Sequence, residues 1–300
     1  MINKINIYNY IPWIFVWIWS TGFLAAKYGL PYAEPFILLT YRFGITLLVL
    51  LPIIIIQRRN WANSLSNLLH LLISGILIHG IYLGGVFQAI KWGMPAGLSS
   101  MIIGLQPIIM ALIASSMLKE FISKKQWLGI VISLLGLYLV LSGHLANVTT
   151  LEISNASIVI VFVALFAVSL GVIYQKRFCS SMDLVTGTWV QYLGALVVCL
   201  TISMFFEAGK IQWEVPFIAT LVWQVLGLSI GAILLLMVMI KNEASTRVGS
   251  YFYLVAPAVT VQAWFLFDEE LTMVAMFGIL LITLGVNMSI SQKSNSHNKE

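Results

Sequence analysis

Charge is scarce in this chain. Aspartate, glutamate, lysine and arginine make up 9% of its 300 residues and hydrophobic residues 60%, whereas a soluble domain is about one quarter charged. So little charge cannot clothe a globular surface, which excludes an ordinary water-soluble fold. Every Asp and Glu falls in a predicted loop or at the end of an apolar run, so no carboxylate waits at mid-membrane depth to relay a proton or hold sodium. Cysteine is limited to Cys179, in a predicted loop, and Cys199, inside a predicted span; a structural disulfide is not expected from such a pair. A GxxxxGK[ST] phosphate loop is missing as well, so ATP-driven work would need a partner subunit. No cofactor, metal site or catalytic group is expected.

What fills the chain instead is a series of apolar runs, each long enough to cross about 30 Å of hydrocarbon as a helix. Runs such as "LLTYRFGITLLVLLPIIII" lack the alternation of a barrel strand, the other structure that can span a bilayer. The expected fold is therefore an all-α membrane protein with ten spans, at 11–28, 36–56, 68–89, 96–117, 126–143, 156–175, 184–206, 216–240, 247–267 and 272–290. The first run lacks a small-residue cleavage site and is followed at once by another span, so it reads as a retained helix. Net charge is +5, but the basic residues sit at span ends rather than on one face, which argues against nucleic acid. With the N-terminus in the cytoplasm, twelve Lys and Arg fall inside and only Lys27, Lys91 and Lys210 outside. That bias predicts cytoplasmic termini, with 291–300 a polar tail and the acidic turn Asp268, Glu269, Glu270 on the outer side.

The sequence also repeats itself. "QPIIMALIASSMLKE" at 106–120 and "APAVTVQAWFLFDEE" at 256–270 each run from a proline to a glutamate, and at an offset of 149 or 150 Ser20, Gly22, Lys27, Lys91, Gly129 and Gly136 meet Ser169, Gly171, Lys176, Lys241, Gly278 and Gly285. Two units of five helices follow, 11–143 and 156–290. Five is odd, so the second unit enters from the opposite side, and the repeat is expected to be inverted. Two inverted halves that exchange slightly different shapes convert an inward-open cavity into an outward-open one. The glycine pairs of the fifth and tenth helices make these helices candidate contact surfaces between copies, with a monomer or a homodimer as the expected state.

"WSTGFLAAKYGLPYAEPFILLTYRFG" (19–44), "GGVFQAIKWGMPAGLSSMIIGLQPIIMALIASSMLKE" (84–120) and the second copy through Asp268-Glu269-Glu270 resemble the paired EamA domains of the drug/metabolite transporter superfamily. The resemblance covers essentially the whole chain. It implies a multi-pass transporter of the bacterial inner membrane, most often an exporter of amino acids or related metabolites. The His79 and Tyr82 pair in "IHGIYLGG" is similar to YddG-type exporters of aromatic amino acids.

Polar side chains at bilayer depth are costly, and each is a candidate for the transport path. His79 and Tyr82 share one face of the third helix. Ser99, Met101 and Gln106 lie in the first half of the fourth helix, where Pro107 removes a backbone donor and can kink the chain; Pro257 repeats the device in the ninth. Tyr251 stands opposite Met101 in the repeat. Phe166, Ser169 and Ser20 are cavity candidates from depth and repeat matching. Arg42, whose repeat partner is neutral Gln191, either attracts a carboxylate or clamps neighbouring helices, and the family resemblance weighs toward the clamp. The expected cavity is lined by helices 1, 3, 4, 6, 8 and 9, and its partners are a small-molecule substrate and the lipid bilayer. A membrane enzyme would need a nucleophile or metal cluster beside His79. Nucleotide-sugar and phosphorylated-metabolite carriers would need several cavity cations, and drug or toxic-cation efflux remains as a further reading.

Overall fold

The computed structural model describes residues 10–62, 64–145, 154–267 and 272–290; the acidic turn 268–270 and the tail 291–300 lie outside the described residues. Among the described residues there is no strand, only an isolated antiparallel bridge between Ala33 and Ile211. In chain order the helices are α1 Ile11–Gly29, α2 Pro35–Ile56, α3 Leu65–Lys91, α4 Ala96–Met117, α5 Lys124–Leu145, α6 Asn155–Cys179, α7 Leu184–Phe206, α8 Val215–Asn242, α9 in two pieces Ser245–Phe252 and Val255–Phe267, and α10 Met273–Ile290. Six of them (α2, α3, α4, α6, α7 and α8) are long and apolar enough to cross a membrane. Between 39% and 56% of each apolar window is buried, so the remaining apolar side chains, Leu48, Ile56 and Phe206 among them, face outward. Hydrocarbon is the solvent that tolerates such a surface.

Proline and short polar residues punctuate the helices. Pro12, Pro35 and Pro216 occupy first-turn positions of α1, α2 and α8, where the missing N–H has no intrahelical partner to lose. Ser64, Ser154 and Asp183 accept backbone N–H groups at the starts of α3, α6 and α7. The kinks expected at Pro107 and Pro257 fall slightly earlier in the chain. α4 breaks at Gly104–Leu105 and α9 at Tyr253–Leu254. A proline cannot bond the carbonyl four residues back and its ring crowds that carbonyl, so the turn ahead of it gives way. Tighter bonds from Leu105 N to Ile102 O and from Leu254 N to Tyr251 O fill the gap. The third helix of each half has its own irregularity, a π segment at Ile76–Ile81 in α3 and at Gln224–Ala232 in α8.

The two halves meet through glycine. A Cβ on Gly129 would lie 2.5 Å from Gly285 O, one on Gly285 2.4 Å from Gly129 O, and Gly136 and Gly278 exclude each other in the same reciprocal way at 2.6 Å. This crosswise pairing requires α5 and α10 to run antiparallel at backbone contact. The glycine faces expected to serve contacts between copies are thus consumed inside the chain, because side-chain-free faces pack best on each other. Gly75 of α3 likewise sits on the backbone of Gln191 in α7, where a Cβ would lie 2.1 Å from its carbonyl oxygen.

The ends of α2 and α7 are tied across the halves. Glu207 accepts from Phe36 N (2.8 Å) and Ile37 N (2.6 Å), Ala208 N donates to Glu34, and Gln212 N donates to Tyr32 O. At the other end Asp183 caps α7 and pairs with Arg59 at 3.2 Å. Burial pushes the Asp183 carboxyl up, but N–H donation from Thr186 and Val185 and the Arg59 guanidinium outweigh it and hold it below the usual aspartate range.

Two tests follow from this packing. Gly285→Leu should destabilise the chain by at least the ~1–3 kcal/mol of an overpacked core, read as a lower unfolding temperature in detergent. Asp183→Ala should cost about 1 kcal/mol at neutral pH. Because the folded pKa is depressed, that difference should persist above the ordinary aspartate value of about 3.9 and shrink as pH falls through the lower folded value, measured by unfolding both proteins across an acid series.

Candidate functional site

A narrow cavity lies between α1, α2, α3 and α8. Trp19, Phe23, Tyr82 and Phe87 form its aromatic wall, Leu83, Val86, Leu228 and Ile233 its aliphatic one, and Gly22 and Arg42 complete the lining. Trp19 and Tyr82 stand parallel with ring centroids 6.3 Å apart, and Phe252 of α9 meets Trp19 edge-on at 5.8 Å. The free space is about 30 Å³, on the order of one or two waters, against ~300–1,000 Å³ for a site that holds a small molecule. This conformation is constricted, with too little room for an organic solute.

Arg42 is the charged member of the lining. It is 4% exposed and about two turns into α2. Its Nε donates to Ser229 Oγ at 2.7 Å and its Nη1 to Gln224 Oε1 at 3.5 Å, both on the π segment of α8. Tyr192 of α7 donates to the backbone carbonyl of the same Ser229 at 2.7 Å. The repeat partner of Arg42 makes an analogous junction without charge: Gln191 Nε2 donates to Gln175 Oε1 at 2.6 Å and lies 3.4 Å from Ser74 Oγ. Each half thus grips the third helix of the other through one polar side chain of its second helix.

The opposite end of the bundle is tied by charge. Lys176 of α6 donates to Glu243 O and lies 4.0 Å from Glu120. Glu120 accepts from Ser245 N at 3.2 Å, Arg247 pairs with Glu243 at 2.8 Å, and Arg177 donates to Met117 O. These contacts join the C-terminal ends of α4, α6 and α8 to the start of α9. The cavity lies toward the end where α1 and α3 finish and α2 and α8 begin. Charged contacts thus gather at one end, and most of the cavity lining lies toward the other.

The remaining sequence candidates are scattered. His79 is fully buried in the α3 π segment, its ring 4.5 Å from Tyr192 and its side chain beside the Gln191 amide. It does not line the cavity. Ser99 Oγ and Gln106 Oε1 are buried without partners, and Gln106 Nε2 reaches Met110 Sδ at 3.4 Å. Met101 and Tyr251 are buried outside the lining. Ser20 and Ser169 bond their own helices, at Trp17 O and Leu165 O. Phe166, expected in the cavity, is 57% exposed on the outer face of α6; an aromatic ring is as welcome in lipid as in a core, so depth alone could not orient it. Helices 4, 6 and 9 contribute nothing to the lining, and α2, absent from the expected set, contributes Arg42. Gln224, Ser229, Gln175 and Ser74 were missed, although each is a polar residue inside an apolar run, the signal that marked His79.

Against known sequences, the profile of the EamA-like transporter family matches this chain twice, over residues 11–142 and 155–291. The chain belongs to the EamA-like transporter family. It is therefore a multi-pass membrane transporter. Among its EamA relatives, a Bacillus subtilis (strain 168) protein named "Uncharacterized transporter YyaM" is 26% identical over 290 residues, covering 95% of this chain and 93% of that one. An Escherichia coli (strain K12) protein named "Probable amino-acid metabolite efflux pump" is 25% identical over 289 residues, 91% of each chain. A solved crystal structure superposes with TM-score 0.75 at 17% identity, covering 93% of this chain and 94% of the other, a likeness of fold.

The state of His79 can be tested by itself. His79→Leu keeps the volume and removes the ring nitrogen that Gln191 does not reach, but strips the Gln191 amide of its neighbour, so the unfolding temperature in detergent should change by no more than the ~1 kcal/mol of one hydrogen bond.

Proposed function

We propose that this EamA transporter is a secondary exporter of small metabolites, most readily amino acids with aromatic or bulky aliphatic side chains. It works by alternating access between two inverted five-helix halves. In this reading ten helices span the bacterial inner membrane with both termini in the cytoplasm. The observation that carries it is the pairing of an aromatic cavity in one half of the bundle with a charge-tied closure at the opposite end. A channel would have no need to close one end while opening the other. The relative named as a probable amino-acid metabolite efflux pump supports the substrate class. With the termini inside, the tied end is cytoplasmic and the constricted cavity belongs to the outward-facing side of the cycle.

Aromatic walls favour planar apolar side chains. A buried guanidinium in the lining disfavours cationic drugs, since like charges repel most strongly where water is excluded.

Counterflow into proteoliposomes, with a panel of labelled amino acids, sugars and phosphorylated metabolites, tests the reading. Aromatic or bulky aliphatic amino acids should exchange with saturation, and conductance without saturation would overturn it. Tyr82→Ala should lower the rate up to about tenfold, the worth of one aromatic contact, with normal membrane insertion. Lys176→Gln should loosen the tied end by about 1 kcal/mol, a roughly fivefold shift of population toward the other state, read as faster labelling of a cysteine placed at Ser245 from the cytoplasmic side.

A further inference from the structure

The charge on Arg42 exceeds what its structural task requires. Gln191 makes the equivalent junction in the second half with a neutral amide, bonded to Gln175 and Ser74. There an uncharged side chain, with one 3.4 Å bond to Ser74 and the close backbone contact at Gly75, holds the second helix against the opposite third helix. Arg42 does the same work through Ser229 and Gln224, yet brings a full positive charge into an apolar bundle. Its hydrogen-bond partners are neutral, and among the described residues it forms no ion pair. A buried cation without a counter-ion is strongly unfavourable and persists where an anion visits it. The cavity it borders is otherwise apolar and aromatic, without a carboxylate in the lining.

We propose that Arg42 is the carboxylate anchor of this cavity and that no group of the lining recognises an ammonium. The site then reads its substrate as an apolar organic acid. This deepens the amino-acid reading above and rests on it. Ser229 and Gln224 hold the guanidinium in place, which suits it to a planar carboxylate. The aromatic wall takes the apolar body. An α-ammonium would stand within a few bonds of that carboxylate and hence close to Arg42, where the two positive charges repel. The chemical class favoured is thus the aromatic or branched monocarboxylate, with or without an amino group, ahead of any amine.

The test uses the full-length protein in lipid nanodiscs and four compounds that share one ring: 3-phenylpropionate, phenylalanine, phenylalaninamide and phenethylamine. Binding is measured directly by calorimetry. 3-Phenylpropionate should bind at least as tightly as phenylalanine, and the two compounds lacking a carboxylate about tenfold to a hundredfold more weakly. Arg42→Gln, patterned on Gln191, should keep the fold, weaken both acids about tenfold to a hundredfold and erase their advantage. Should that variant fail to fold, Arg42→Lys should keep the acid preference at reduced affinity, and the wild-type ranking remains decisive. Equal binding of phenethylamine or phenylalaninamide and the acids, or an acid preference that survives Arg42→Gln, overturns the anchor. Tight binding of phenylalanine with none of 3-phenylpropionate overturns the anchor while leaving the amino-acid reading intact; no binding of any of the four overturns both.

Discussion

A polar side chain held between helices at bilayer depth, Arg42 here, is the junction on which this architecture turns. Arg42 cannot be solvated by water there, so α8 must supply acceptors, and it does so from a stretch whose backbone is already opened into a π turn. The Tyr192 hydroxyl serves the carbonyl of the same Ser229. Three helices from two halves thus converge on one residue. Their separation is fixed by hydrogen bonds that lipid could not replace. The cavity exists beside this junction because Gly22 and the aromatic rings of α1 and α3 leave α1 a short distance away from it.

Rigid and yielding contacts are segregated in the fold. α5 and α10 lock by reciprocal glycine contact, and a Cβ at Gly75 would already strike the Gln191 backbone; neither surface has room to slide. The irregular backbone lies in the breaks of α4 and α9 and in the π segments of α3 and α8, the first of which begins just past Gly75. Such interruptions need little new hydrogen bonding to bend, because their regular ladders are already broken. Motion between two states is therefore most economical in helices 3, 4, 8 and 9. In the proposed cycle, the partly exposed Lys176 contacts at the ends of α4, α6 and α8 would be the ones to form and release.

Much of this was legible in the sequence, for definite reasons. Apolar length reveals helices in a chain this poor in charge, and the α5–α10 glycines gave themselves away by repeating at an offset of 149. Arg42 and Tyr82, singled out by polarity at depth, both border the cavity. Facing was not legible. In a soluble protein the apolar stripe points at the core, but a helix apolar on all sides carries no such signal, and so Phe166 was turned the wrong way and α2 was left out of the lining. The glycines of α5 and α10 were recognised as a packing surface and given the wrong partner, since sequence alone does not distinguish contact within a chain from contact between chains. The breaks in α4 and α9 were anticipated at the prolines and displaced by one turn, because a proline disturbs the carbonyl behind it.

The inverted relation proposed for the halves gives the orphaned polar groups a place in one scheme. At an offset of 149 or 150, His79 falls opposite Leu228 or Ser229, and Gln191 opposite Arg42. His79 and Gln191 therefore occupy, in the tied half, the station that the cavity-side junction occupies in the other. There His79 lies fully buried beside the Gln191 amide, which can serve at most one of its two ring nitrogens. Leaving such groups unmet costs about 1–3 kcal/mol each, which a static bundle would have every reason to remove. In the proposed exchange of shapes the same groups would come to border the opened side, where water or solute would satisfy them. On that proposal, unfavourable burial in one state and its relief in the other would keep the two conformations close in energy, a condition that alternating access cannot do without.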